Sequence, residues 1–285
     1  MVASATRCAL CTLLSIGLAN LSGSQSAVAQ EAELKAAQEA FTAYCDAAAT
    51  GHSQASELLA VATEHLETGI GKLVAGYTKE DLDVRVVRIG DMKPEQEFLL
   101  VGPPNRRPTA SELVLCQVYH NLIDAYADSK QTVKALDSFE SELLKHGKLG
   151  RVPLLYAQYY CCWTYQANAA KQLYSRDLKK TLSTLSRVAI VCERPVRQLD
   201  KYAFENLFLV AFHLTRLAMF HERASFGSKA KSKRYSEQAS KFLRYILEHR
   251  GMQPIGALSD RAVQKIQVLL REQQQRINEL QPNAK

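Results

Sequence analysis

Between Ser111 and Lys145 apolar residues recur at three- and four-residue steps twice over, with a short polar break between the two runs. The first run is Leu113, Cys116, Tyr119, Leu122, Ile123 and Tyr126, a spacing that a helix places on one face. Its start is marked by Thr109 after Pro108, with Glu112 three residues on, the pattern of a reciprocal N-terminal cap. Loss of the Thr109 cap is expected to cost about 1 kcal/mol. After Asp128-Ser129-Lys130-Gln131 a second run follows through Val133, Leu136, Phe139 and Leu143. Ala135 is small where two helix backbones would approach, and His146-Gly147 supplies a stop. A link this short forces the two helices to lie antiparallel.

The rest of the chain repeats that hairpin loosely. Glu31–Thr50 and Ser53–Leu73 predict a first helical pair. Gly69, Gly71 and Lys72 at its end read as a helix terminus rather than a phosphate loop, because no Ser or Thr follows the lysine. Leu82–Pro104 breaks the helical pattern. Val84, Val86, Val87 and Ile89 are β-branched, Gly90–Glu95 would turn, and Phe98–Val101 is apolar, so a small β-hairpin insertion is predicted near 84–101. On the carboxyl side, Pro153–Tyr174, read with Pro153 in the first turn, pairs with Asp177–Cys192. Tyr202–Phe220, expected to be the most buried helix, pairs with Arg234–His249, and Ser259 caps a closing helix that ends near Leu280. The hairpins span about 35 to 50 residues, too irregular for a strict array. The expected fold is all-α, an irregular αα-hairpin stack of the α-solenoid kind with a small β insertion.

Tyr119, Leu122, Tyr126, Ala135 and Phe139 carry a further likeness. On those residues the hairpin resembles the tetratricopeptide repeat, over about one repeat. It departs from the pattern at Ile123, at Glu142 and in lacking a following proline. The resemblance implies an adaptor or assembly protein with a concave groove for a protein or peptide.

Residues 1–29 stand apart. Arg7 is their only charge, Cys8–Leu21 is apolar but short for a bilayer span, and Ala27-Val28-Ala29 places small residues before Gln30 as a signal peptidase requires. A signal peptide cleaved near Ala29-Gln30 and export, periplasmic or secreted, are predicted; a retained anchor and a mitochondrial presequence are the alternatives. No later stretch is apolar enough to cross a membrane. The remaining cysteines, Cys45, Cys116, Cys161, Cys162 and Cys192, are odd in number, so the mature chain is not a disulfide scaffold. Buried free thiols are expected, with Cys162–Cys192 the pair able to bridge across a hairpin. The formal charge of +7 is uneven: residues 30–102 carry 13 acidic and 6 basic side chains, so the acidic start balances a strongly basic remainder. The predicted organisation is the signal at 1–29, an acidic helical hairpin with its β insertion at 30–102, and a basic helical region at 103–285, the last two forming one continuous domain.

No catalytic constellation is evident. There is no His-Glu-x-x-His pair, no Gly-x-Ser-x-Gly elbow and no paired-cysteine ligand set, so neither metal nor cofactor is predicted. His213 and His221 lie on one helix about 12 Å apart along its axis and cannot share a metal; both read as structural or surface residues. Glu64-His65 with Glu67 is one polar helical turn and weak as a site. Two features point to binding instead. Tyr156, Tyr160 and Trp163 belong to the densest aromatic cluster, with flat rings suited to a groove. Lys229, Lys231, Lys233 and Arg234 crowd one short stretch, and together with the cations of 171–201 they would form a basic stripe if the second helices stack. The predicted function is an exported, non-enzymatic helical-repeat scaffold for a protein or peptide partner, and the basic stripe leaves an acidic partner surface as one option. An all-helical exported hydrolase or lyase is one alternative. A basic nucleic-acid-binding organellar protein is another, tied to the presequence reading.

Overall fold

A computed structural model of the chain describes residues 25–82, 84–87, 100–104, 106–197, 199–224, 227–253 and 255–280. Its helices are α1 (Gln25–Thr50), α2 (Ala55–Ala75), α3 (Ala110–Asp128), α4 (Val133–Lys145), α5 (Lys148–Tyr174), α6 (Leu178–Glu193), α7 (Phe204–Arg223), α8 (Lys229–Glu248) and α9 (Asp260–Glu279). Short 3₁₀ turns occupy Glu80–Leu82, Lys130–Thr132, Arg194–Arg197 and Leu199–Lys201. The fold is all-α. Among the described residues, the exception is two short segments, β1 (Val84–Val87) and β2 (Leu100–Pro104), which pair antiparallel with Val86 opposite Val101. The expected turn at 90–95 lies outside the described residues, as do the expected signal residues 1–24. α1 runs through the expected junction at Ala29-Gln30, and Gln30 donates to the Lys72 carbonyl at 3.0 Å.

The Thr109 cap forms as the sequence predicts. Thr109 Oγ1 accepts from the Glu112 N–H at 3.2 Å, and the Glu112 carboxylate accepts from the Thr109 N–H at 2.8 Å. Ser259 likewise caps α9. Besides α1, which begins at Gln25 and not at Glu31, two starts differ from the sequence reading. α5 begins at Lys148 instead of Pro153, which therefore sits inside the helix. Gly147, at φ 55°, makes the break, and burial at Gly150 and from Val152 through Gln158 carries the helix across the proline. A Cβ at Gly150 would collide with the Leu143 carbonyl, so the α4–α5 corner requires glycine there. α8 begins at Lys229, because Ser228 accepts from the Lys231 N–H at 3.2 Å.

α1 packs on α2, α3 on α1, α5 on α3, and α7 on α5; α2 meets α4, α6 lies along α5, and α8 sits between α7 and α9. Gly69 brings α2 against Leu34 of α1, where a Cβ would stand 2.5 Å from Leu34 Cδ2. α7 is buried at every residue from Asn206 to Thr215, in keeping with a helix apolar nearly all round. The inner face of α8 is lined by Ser232, Ser236 and Ser240, all fully buried and all without a hydrogen-bond partner for the hydroxyl.

Three arginines knit the middle of the chain. Arg106 forms a two-pronged pair with the buried Glu112 at 2.7 and 2.8 Å, lies against the rings of Tyr77 and Tyr156, and also reaches Asp81. Arg187 on α6 meets Asp124 on α3 at 2.6 Å, where Tyr165 also donates at 3.0 Å. Arg194 meets Glu140 on α4 at 2.7 Å, and Tyr119 and Tyr202 donate to the same carboxylate at 2.8 and 3.2 Å. The Arg194 and Glu140 side chains are only 11% and 8% exposed. Replacing Glu140 with Ala would therefore leave a buried guanidinium and two phenols short of an acceptor. A loss of about 3–5 kcal/mol is expected in urea denaturation, the usual cost of breaking a buried pair on one side.

Candidate partner-binding site

α5 carries Tyr159, Trp163 and Gln166 at helical steps, so they share one face; α7 opposes them with Phe212, His213 and Arg216. Trp163 is half-buried and contacts Tyr159 at 5.8 Å between ring centroids and His213 edge-on at 5.7 Å. Arg216 is an exposed residue whose guanidinium lies over the Trp163 ring at 5.1 Å and the Phe212 ring at 5.8 Å. Beneath them His213 is fully buried, with Nδ1 at 2.6 Å from the Gln166 amide nitrogen. Trp163 Nε1, Gln166 Oε1 and His213 Nε2 are buried and have no hydrogen-bond partner. Burial, with Arg216 adding repulsion, lowers the His213 pKa to about 3, and desolvation lowers that of Arg216.

The other predicted aromatics are placed differently. Tyr156 is buried, and its hydroxyl donates to the Arg106 carbonyl at 3.1 Å, which makes it part of the core around that arginine and not a groove wall. Tyr160 is half-buried and edge-on to His120 at 6.2 Å. The predicted cations lie on α8, away from α5. Lys229, Lys231 and Arg234 are exposed and Lys233 is half-buried. Arg234 pairs with Glu193 of α6 at 3.0 Å, and Lys233 stands 4.0 Å from Glu237. Thus the aromatic and basic parts of the predicted site are not joined; α7 neighbours both. Arg216, Phe212 and Gln166 were not singled out by sequence reasoning. The available signal was Arg216 itself, the lone formal charge between Asn206 and Phe220.

His221 is buried and accepts from the Ser228 N–H at 3.4 Å, a structural use. Among the described residues no group of three or more His, Cys, Asp or Glu side chains is arranged for a metal, and no helix is long and apolar enough to cross a membrane. The cysteines described are free thiols. Cys162 and Cys192 are both buried, and burial raises the Cys192 pKa, with Cys162 beside it adding to the shift. No protein-family model, curated protein or solved structure matches the chain.

The buried imidazole has a measurable consequence. Above its ordinary pKa of about 6.5 it is neutral whether the chain is folded or not. As pH falls, the unfolded chain takes up a proton that the native site refuses, so native stability drops until about pH 3. Urea titrations at stepped pH should show this site removing about 1.4 kcal/mol per unit below 6.5, and a His213→Gln variant should show a flatter acid limb.

Proposed function

We propose that the chain is an exported, non-enzymatic helical scaffold that holds an acidic protein or peptide partner. The observation that carries this reading is the start of α8. Lys229, Lys231, Lys233 and Arg234 occupy its first two turns, where the helix dipole is already positive, and no acid lies in the first turn. Cations at that end cost stability, typically about 0.3–1 kcal/mol each at an exposed site, so their presence favours an external use. Lys229 and Lys231 make no ion pair among the described residues, which leaves them free to meet an anionic surface and steer its approach.

The repeat-like reading draws support from the packing order. The first helices of successive hairpins, α1, α3, α5 and α7, neighbour one another, as do the second helices α2 and α4. A stack of that kind would offer a broad surface on which the outer face of α8 could receive the partner. Export rests on residues 1–29 and on the small residues before Gln30.

The test is a crosslinked pull-down from the exported fraction. The bait is residues 30–285, beside a version with Lys229, Lys231, Lys233 and Arg234 changed to Glu. The expected outcome is one stoichiometric acidic protein captured by the first and reduced at least about tenfold with the second, with an unchanged melt. Equal capture by both would overturn the reading.

A further inference from the structure

We infer that the seam between α5 and α7, at Trp163 and Arg216, is a carboxylate-binding site. The inference deepens the scaffold reading, on which it rests for its natural ligand. Arg106, Arg187 and Arg194 each hold a carboxylate at 3.2 Å or closer. Arg216 lies against aromatic rings as Arg106 does, yet it is exposed and makes no ion pair among the described residues. Its guanidinium edge remains available for a planar two-oxygen acceptor.

The groups beneath it share that bias. With the Gln166 amide nitrogen donating to Nδ1, neutral His213 carries its proton on Nε2, which has no acceptor. The Trp163 indole N–H also lacks one, whereas Gln166 Oε1 is the single unpaired acceptor of the group. Donors are in excess around one cation, which suits a singly charged ligand better than a phosphate dianion. The half-buried Trp163 ring offers flat apolar cover to a short aliphatic stem. The ligand class is therefore a carboxylate borne on a peptide, from a glutamate or aspartate side chain or from a chain end. Arg216 is the group it reaches first, because the indole and imidazole nitrogens lie below the surface.

Trp163 is the only tryptophan of the chain, so its fluorescence reports this seam alone. Three short peptides serve as probes at constant ionic strength: an end-blocked peptide with three glutamates, its end-blocked glutamine counterpart, and the glutamine peptide with a free carboxyl end. A saturable response to the first or third, with none to the second, supports the site, and the peptide that responds identifies the carboxylate source. Arg216→Gln should keep its melt and weaken that response at least about tenfold, the factor set by losing one charge-assisted contact. Arg216→Lys should recover part of it. No response to any peptide, an equal response to the blocked glutamine peptide, or an undiminished response in Arg216→Gln would overturn the inference. The two proposals fail separately. A partner lost on charge reversal of α8, with no tryptophan response, would remove the seam and keep the scaffold; a response with no partner captured would do the reverse.

Discussion

The middle of this fold depends on carboxylates held out of water. Glu140 is the clearest case: one side chain on α4 accepts from Tyr119 of α3, from Tyr202 before α7 and from Arg194 after α6. Transfer of those charges from water is costly, and the cost is offset only while every partner is in place. Arg106–Glu112 repeats the device at another junction, with the Tyr77 hydroxyl completing the acceptor, and Arg187–Asp124 with Tyr165 has the same set of partners around a carboxylate that is 38% exposed. The chain is thus pinned at points where apolar packing alone would permit sliding. The charge asymmetry of the sequence takes on a local meaning here. Apart from Arg106–Asp81, these pairs form within the basic region, between its own scattered acids and arginines.

Much of the architecture was legible because helical spacing and caps are local signals. The Thr109–Glu112 box, the Ser259 cap and the burial of the α7 segment follow from residues a few positions apart. The starts of α5 and α8 were not legible, for two reasons. Pro153 looks like a first-turn residue, yet the helix extends before it, since Gly147 supplies the break and buried contacts hold the added turn. Ser228 is an ordinary cap, but the lysines after it resemble a loop by composition. Gly69 was read as a terminus signal and is instead the close crossing of α2 over Leu34.

The site was legible only in part. Trp163 could be singled out as a scarce, amphipathic ring, but its neighbours come from a helix about fifty residues away in sequence. That Arg216 lies over it, and that His213 lies beneath without an acceptor for Nε2, depends on how α5 and α7 cross. Tyr156 illustrates the converse: it has the same residue chemistry, seven positions earlier on the same helix, yet it is absorbed into the core by Arg106. Exposure separates the two, and no local pattern encodes it.

The serine-lined inner face of α8 has a mechanical consequence. Ser232, Ser236 and Ser240 are small enough to bring the helix close to its neighbours, but their hydroxyls hold nothing. Among the described residues the one ion pair from α8 to another helix is Arg234–Glu193, with the arginine side chain 61% exposed and therefore screened by salt. α8 is thus seated by shape, while α3 to α6 are latched by charge. The seating of the helix that presents the cations therefore depends on how Ala239, Phe242, Leu243 and Ile246 fit their neighbours, and little on ionic strength.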